Sequence, residues 1–224
     1  MEKYMELVFI LDRSGSMGGL ESDTIGGYNS FLKKQQEEAG PTRITTVLFD
    51  DEYELLHDRL DLKAVAPITD KDYYVRGCTA LLDAIGKTIG KVENVKKGSS
   101  KKYKPDKVLF VITTDGMENA SREFSYDQIK AKVEAKKEEG WEFIFMGANI
   151  DSIDVAGRFG IARNRVANYH ADAKGINKMY ETASDATVKY CVSHMISDDW
   201  ATDLNEDFEG REKGEDPDGG TDAK

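Results

Sequence analysis

Apolar residues run without interruption from Leu7 to Leu11 and end in Asp12-Arg13-Ser14-Gly15-Ser16. A run that does not alternate with polar positions predicts a strand buried on both faces, as in parallel sheets covered by helices. Val108 to Thr114, ending in Asp115, repeats the logic, and Trp141 to Met146 and Arg165 to His170 predict two further strands. Between these runs the apolar positions change to helical spacing. Leu20 to Ala39 carries Ile25, Tyr28, Phe31 and Leu32 and stops at Gly40-Pro41. Leu81, Leu82, Ile85, Ile89 and Val92 define a second helix with Thr79 at or just before its start. Ser125 with Gln128 predicts a capping box for a third helix through Glu139, closed by Gly140. Shorter signals mark Ile153 to Phe159, and a longer one Ile176 to Met195.

Two β-rich runs, Arg43 to Phe49 and Tyr53 to His57, flank the polar link Asp50-Asp51-Glu52. That arrangement predicts a hairpin, which makes one of its strands an antiparallel edge. Arg59 to Arg76 reads mostly as loop with one short helix. The alternation of strands and helices predicts an α/β fold: a doubly wound, mostly parallel sheet with one antiparallel edge strand and helices on both faces.

Composition changes this picture at the C-terminal end. Of the formal charge of −11, Trp200 to Lys224 contributes −6, with nine Asp and Glu against three Lys and Arg. The expected organisation is therefore one domain over residues 1–199 and an acidic tail over 200–224, too poor in apolar surface to order itself. An acidic surface repels phosphates and anionic lipids, so neither nucleic acid nor membrane is the expected partner. The five lysines between Lys96 and Lys104 read as a solvated connector. Cys78 and Cys191 are expected as two buried, reduced thiols, and no secretory or membrane-spanning signal is evident, which predicts a cytoplasmic protein.

The candidate chemistry sits at the strand ends. Asp12, Ser14 and Ser16 occupy alternate positions after the first strand, while Thr79 and Asp115 come from two other connections that a doubly wound sheet can bring to the same rim. A set of oxygen donors without sulfur or imidazole selects Mg²⁺, with Mn²⁺ or Ca²⁺ as alternatives, over zinc or copper. Two close carboxylates also disfavour joint ionisation unless a cation lies between them. Taken singly, each residue has a structural explanation: Asp12 and Ser14 as turn or cap residues, Thr79 as an N-cap, Asp115 as a turn residue. Asn119, Asn149 and Asp151 follow strand ends too, where loop polarity explains them equally well.

The complete set resembles the metal-ion-dependent adhesion site, MIDAS, of von Willebrand factor A (VWA) domains: Asp12-x-Ser14-x-Ser16, then Thr79, then Asp115 within Thr113-Thr114-Asp115-Gly116. The resemblance covers roughly residues 5–195 and implies a Rossmann-like sheet. It also implies a metal held by Ser14, Ser16 and Thr79, with Asp12 and Asp115 acting directly or through water. A protein partner would supply an Asp or Glu to the open coordination position. Phe145 to Asp151 is similar to a segment of intracellular, stand-alone prokaryotic and phage members. The function expected is thus a non-enzymatic, metal-dependent protein-interaction module.

Two other classes compete. A Mg²⁺-dependent phosphatase of the haloacid-dehalogenase type needs a second Asp where Ser14 stands, and the Gly15 to Gly19 loop lacks the Gly-Lys-Ser/Thr ending of a P-loop. His57, His170 and His194 show no paired spacing for a metal or a triad. The third class is an assembly subunit in which a metal only staples loops together.

Overall fold

A computed structural model describes residues 4–100 and 104–214. Six strands form one sheet in the order β3-β2-β1-β4-β5-β6, comprising β1 (Met5–Asp12), β2 (Thr42–Phe49), β3 (Tyr53–Asp61), β4 (Lys107–Thr114), β5 (Trp141–Gly147) and β6 (Val166–Asn168). All neighbours are parallel except β2 and β3, which form the expected hairpin and leave β3 as the antiparallel edge. The helices are α1 (Glu21–Glu38), α2 (Leu81–Gly98), α3 (Tyr126–Glu138), α4 (Ser152–Arg158), α5 (Ala173–Ser193) and α6 (Thr202–Glu212).

β1 explains why both faces are apolar. Its odd positions, Leu7, Phe9 and Leu11, pack on one side with Tyr28 and Phe31 of α1 and Ile176, Met179 and Tyr180 of α5. Val8 and Ile10 pack on the other with Leu81, Ile85 and Ile89 of α2 and Ile129 and Val133 of α3. The period-2 alternation therefore feeds two cores, and the strand has no polar face to show. The chain winds from β1 outward to β2 and β3, then returns to place β4 on the other side of β1. The order reverses between β1 and β4, and the crevice beyond their carboxyl ends is where open α/β sheets bind ligands.

Three expectations are corrected. The acidic tail does not begin at residue 200: Trp200 and Ala201 are buried, Leu204 is 0% exposed, and α6 packs against α5 and β6. Acidity did not prevent ordering because the buried Asp207 lies among Lys174, Lys178 and Arg211. Residues 215–224, also assigned to that tail, lie outside the described residues. The thiols are free as expected, but Cys78 is exposed and Cys191 half-buried. Finally, β3 continues to Asp61, so Arg59 and Leu60 belong to the edge strand, and only a short 3-10 turn, Leu62–Ala64, follows.

Candidate metal centre

β1 ends at Asp12, and the chain turns over the sheet edge through a 3-10 turn at Gly15–Met17. Burial of the Asp12 backbone beside β4 gives each carboxylate oxygen a partner. Oδ1 accepts from the Ser14 backbone N–H at 2.7 Å, and Oδ2 accepts from the Thr114 hydroxyl at 2.5 Å. The Ser14 and Ser16 hydroxyls meet at 3.0 Å, and Ser16 Oγ donates to Asp115 Oδ1 at 2.5 Å. Four of the five sequence-predicted residues thus form one hydrogen-bonded chain across the β1/β4 crevice. Thr79 joins through Gly116: a Cβ on that glycine would lie 3.0 Å from Ser16 Oγ and 3.2 Å from Thr79 Oγ1. A side chain at 116 would therefore crowd both hydroxyls.

Asp12, Ser14, Thr79 and Asp115 are buried, whereas Ser16 is exposed, so the cluster opens to solvent on one side. Desolvation dominates the electrostatics. It pushes the Asp12 carboxyl up to about 6, with the neighbouring Asp115 charge adding in the same direction, and it also raises Asp115. Asp115 Oδ2 is buried with no hydrogen-bond partner. A buried carboxylate oxygen without a donor is costly, and a cation relieves it. Donor chemistry and electrostatics therefore fit a hard divalent ion. Among the described residues no group of three or more His, Cys, Asp or Glu is placed to hold a metal, so this cluster depends on hydroxyls.

The loops are fastened by residues the sequence did not single out for that purpose. Arg13, between Asp12 and Ser14, is 0% exposed. Its Nε donates to Asp50 Oδ2 at 2.9 Å, and its Nη1 pairs with Glu54 at 2.7 Å. Arg76 Nε reaches the same Asp50 oxygen at 2.6 Å. The loop before α2 is laced to the β1 loop by Tyr73 Oη to Asp12 O, Arg76 N to Arg13 O, and Gly15 N to Gly77 O, at 2.7, 2.9 and 3.1 Å. Gly77 takes φ +67, and a Cβ there would stand 1.8 Å from Asp51 Oδ1, so the position admits only glycine.

α2 has no cap of its own, and the loop after Asp115 supplies one. Asn119 Oδ1 accepts from Thr79 N at 2.9 Å, Glu118 Oε2 from Leu82 N at 2.9 Å, and Ser121 Oγ from Asp83 N at 3.0 Å. In return, Asp83 accepts the N–H groups of Arg122, Glu123 and Phe124. Asn119 therefore does sit beside the cluster, where it orients Thr79. Asp151 instead caps α4, and Asn149 occupies a left-handed turn at φ 56. The histidines lie elsewhere: His57 bonds Thr46 between α1 and the hairpin, His170 stacks on Phe208, and His194 is exposed at the end of α5.

No protein-family model and no curated protein matches the chain. Solved structures do. Proximal thread matrix protein 1 of the mussel byssus, solved with a zinc-occupied MIDAS motif, aligns at a TM-score of 0.54 and 16% identity over 84% of this chain. Manganese-loaded TRAP protein of Plasmodium vivax aligns at 0.57 and 18% identity, covering 79% of this chain and 72% of that one. A von Willebrand factor type A structure from Catenulispora acidiphila aligns at 0.53 and 11% identity, covering 83% of this chain and 43% of that one. The chain spans 46% of the length of the mussel protein. The fold, with its crevice between β1 and β4, is that of a VWA domain.

Proposed function

We propose that Asp12, Ser14, Ser16, Thr79 and Asp115 hold a divalent cation, Mg²⁺ by its preference for hard oxygens, and that the loaded site docks an Asp or Glu of a protein partner. The observation that carries this reading is the buried, unpartnered Oδ2 of Asp115 beside a second buried carboxylate and three hydroxyls. The zinc and manganese bound by the mussel and Plasmodium proteins support a divalent ion of this class. When bound, the ion supplies positive charge at the rim. The hydroxyls contribute no charge, so where Asp12 and Asp115 act through water the ion's direct ligands leave its charge uncompensated, and an external anion is favoured at the open coordination position.

The protein's own residues divide the work. Asn119 and the Glu118 cap hold Thr79 at the start of α2. Arg13 and Asp50 hold the β1 loop in register with the loop that carries Thr79. The reading is of an interaction module and not an enzyme, in keeping with His57 and His170 engaged away from the cluster. No helix among the described residues is long and apolar enough to cross a membrane, and free thiols suit a reducing cytoplasm. The stand-alone, intracellular setting belongs to the same reading.

A pull-down from cell extract with Mg²⁺ or with EDTA, using wild type and Asp115→Ala, tests the function. Partners should be captured only by wild type with Mg²⁺. Capture that survives both EDTA and the substitution would contradict a metal-mediated carboxylate contact.

A further inference from the structure

Val192 and Met195, at the end of α5, are 74% and 70% exposed, the highest values for large apolar side chains among the described residues. With Val188, one turn earlier, they line a groove of about 700 Å³. The local fold does not require apolar residues there. His194, at φ 62, ends α5 through a bond from its N–H to Tyr190 O, and after such an ending the next apolar residue commonly folds back onto the last turn. Met195 N–H instead bonds Ser193 Oγ at 3.3 Å, and its side chain stays in solvent. The segment is nevertheless well held. Ser193 Oγ donates to Met195 O at 2.9 Å, Arg165 Nη2 to Ile196 O at 2.8 Å, and Asn164 Nδ2 to Asp198 Oδ1 at 2.8 Å. An ordered frame thus displays an apolar patch of the kind that marks interaction surfaces.

The charges along the groove identify its occupant. Its walls carry one exposed cation, Lys189, and one exposed anion, Asp198. A partner of uniform charge would be attracted by one and repelled by the other. A second copy turned about a two-fold axis sets each Lys189 against the other copy's Asp198 and satisfies both at once. Local neutrality matters because the chain carries −11, so most of its surface repels another copy. We infer that this groove is the face through which two copies of the chain associate, with Val192 and Met195 of each entering the groove of the other.

The position of the groove gives the pair a use. Lys107, the first residue of β4, donates to Tyr190 O and Cys191 O, so this end of α5 lies at the amino ends of the strands. The metal centre lies at their carboxyl ends. Association through the groove therefore leaves both metal rims uncovered. Two such sites on one assembly strengthen the hold on a partner that presents two acids. That consequence rests on the metal reading, whereas the association itself does not.

Sedimentation velocity of the full chain, from micromolar to millimolar concentration and in EDTA or MgCl₂, tests the inference. The mass of wild type should rise with concentration toward twice that of one chain, equally in both buffers. Val192→Asp and Met195→Asp change exposed side chains, and each variant should stay at the single-chain mass with unchanged circular dichroism. Lys189→Asp and Asp198→Lys should each weaken association about tenfold. Mixing those two variants should restore it, because a mixed pair brings opposite charges together at both contacts. A single-chain mass for wild type at every concentration overturns the inference. So does association that survives both aspartate variants, or association that requires Mg²⁺, which assigns the contact to the metal rim. A mixture that associates no better than its separate components contradicts the two-fold contact.

Discussion

Ser16 and Asp115, 99 positions apart in sequence, meet at 2.5 Å across the crevice between β1 and β4. The contact pairs an exposed hydroxyl with a buried carboxylate and satisfies only one of its two oxygens. Ser16 thus holds the site together while leaving Asp115 Oδ2 without a donor. The pair defines a cluster in which fold stability and ion binding pull against each other.

That opposition is measurable. Asp115→Ala removes a desolvated carboxylate, so the EDTA-treated variant should be at least as stable as wild type, whereas the gain on adding Mg²⁺ should be lost. For wild type, a hundredfold excess of ion over Kd contributes about 2.7 kcal/mol. Thermal denaturation with EDTA and with MgCl₂ reads both arms. A variant clearly less stable than wild type in EDTA would count against a strained metal-free site.

Arg13→Ala leaves Asp50 buried with only the half-exposed Arg76 as its charged partner. Breaking a buried pair from one side costs about 3–5 kcal/mol. Urea unfolding should show that loss. Arg13→Lys should restore little of it, because an ammonium cannot bridge Asp50 and Glu54 as the guanidinium fork does.

His57 gives the expected pH dependence. Burial lowers its pKa below the usual 6.5, with Asp72 opposing weakly. The unfolded chain then binds the proton more readily than the folded one, so this group's contribution is full above about pH 6.5 and is lost as pH falls toward the folded pKa. His57→Gln should flatten the fall in melting temperature between pH 7 and pH 5. An unchanged slope would place the acid sensitivity elsewhere.

Leu204→Ala tests the packed part of α6. The residue is 0% exposed, and truncating a buried leucine costs about 2–5 kcal/mol. A change of only a few tenths in urea unfolding would mean that the helix contributes nothing to the domain.

What the sequence revealed and what it hid follow from how local each cause is. The strands β1 and β4, the hairpin and the Ser125–Gln128 capping box were legible because a continuous apolar run, a polar link and an S-x-x-Q spacing each act within a few residues. Residues Asp12, Ser14, Ser16, Thr79 and Asp115 were legible only as a set, since each alone is an ordinary turn or cap residue. α6 was hidden because an acidic stretch reads as solvated until Lys174 and Lys178 are brought to Asp207 by the fold. Arg13 was hidden for the same reason, as Asp50 and Glu54 reach it only through strand pairing. The capping of α2 by Glu118, Asn119 and Ser121 likewise carries no local signal.

Calorimetric titration of MgCl₂ into the metal-free protein tests the central claim most directly. Wild type should bind one ion per chain, and Asp115→Ala and Ser14→Ala should show no binding heat while keeping wild-type circular dichroism. Equal heats for wild type and both variants, or no heat and no thermal shift in wild type, would contradict the metal centre.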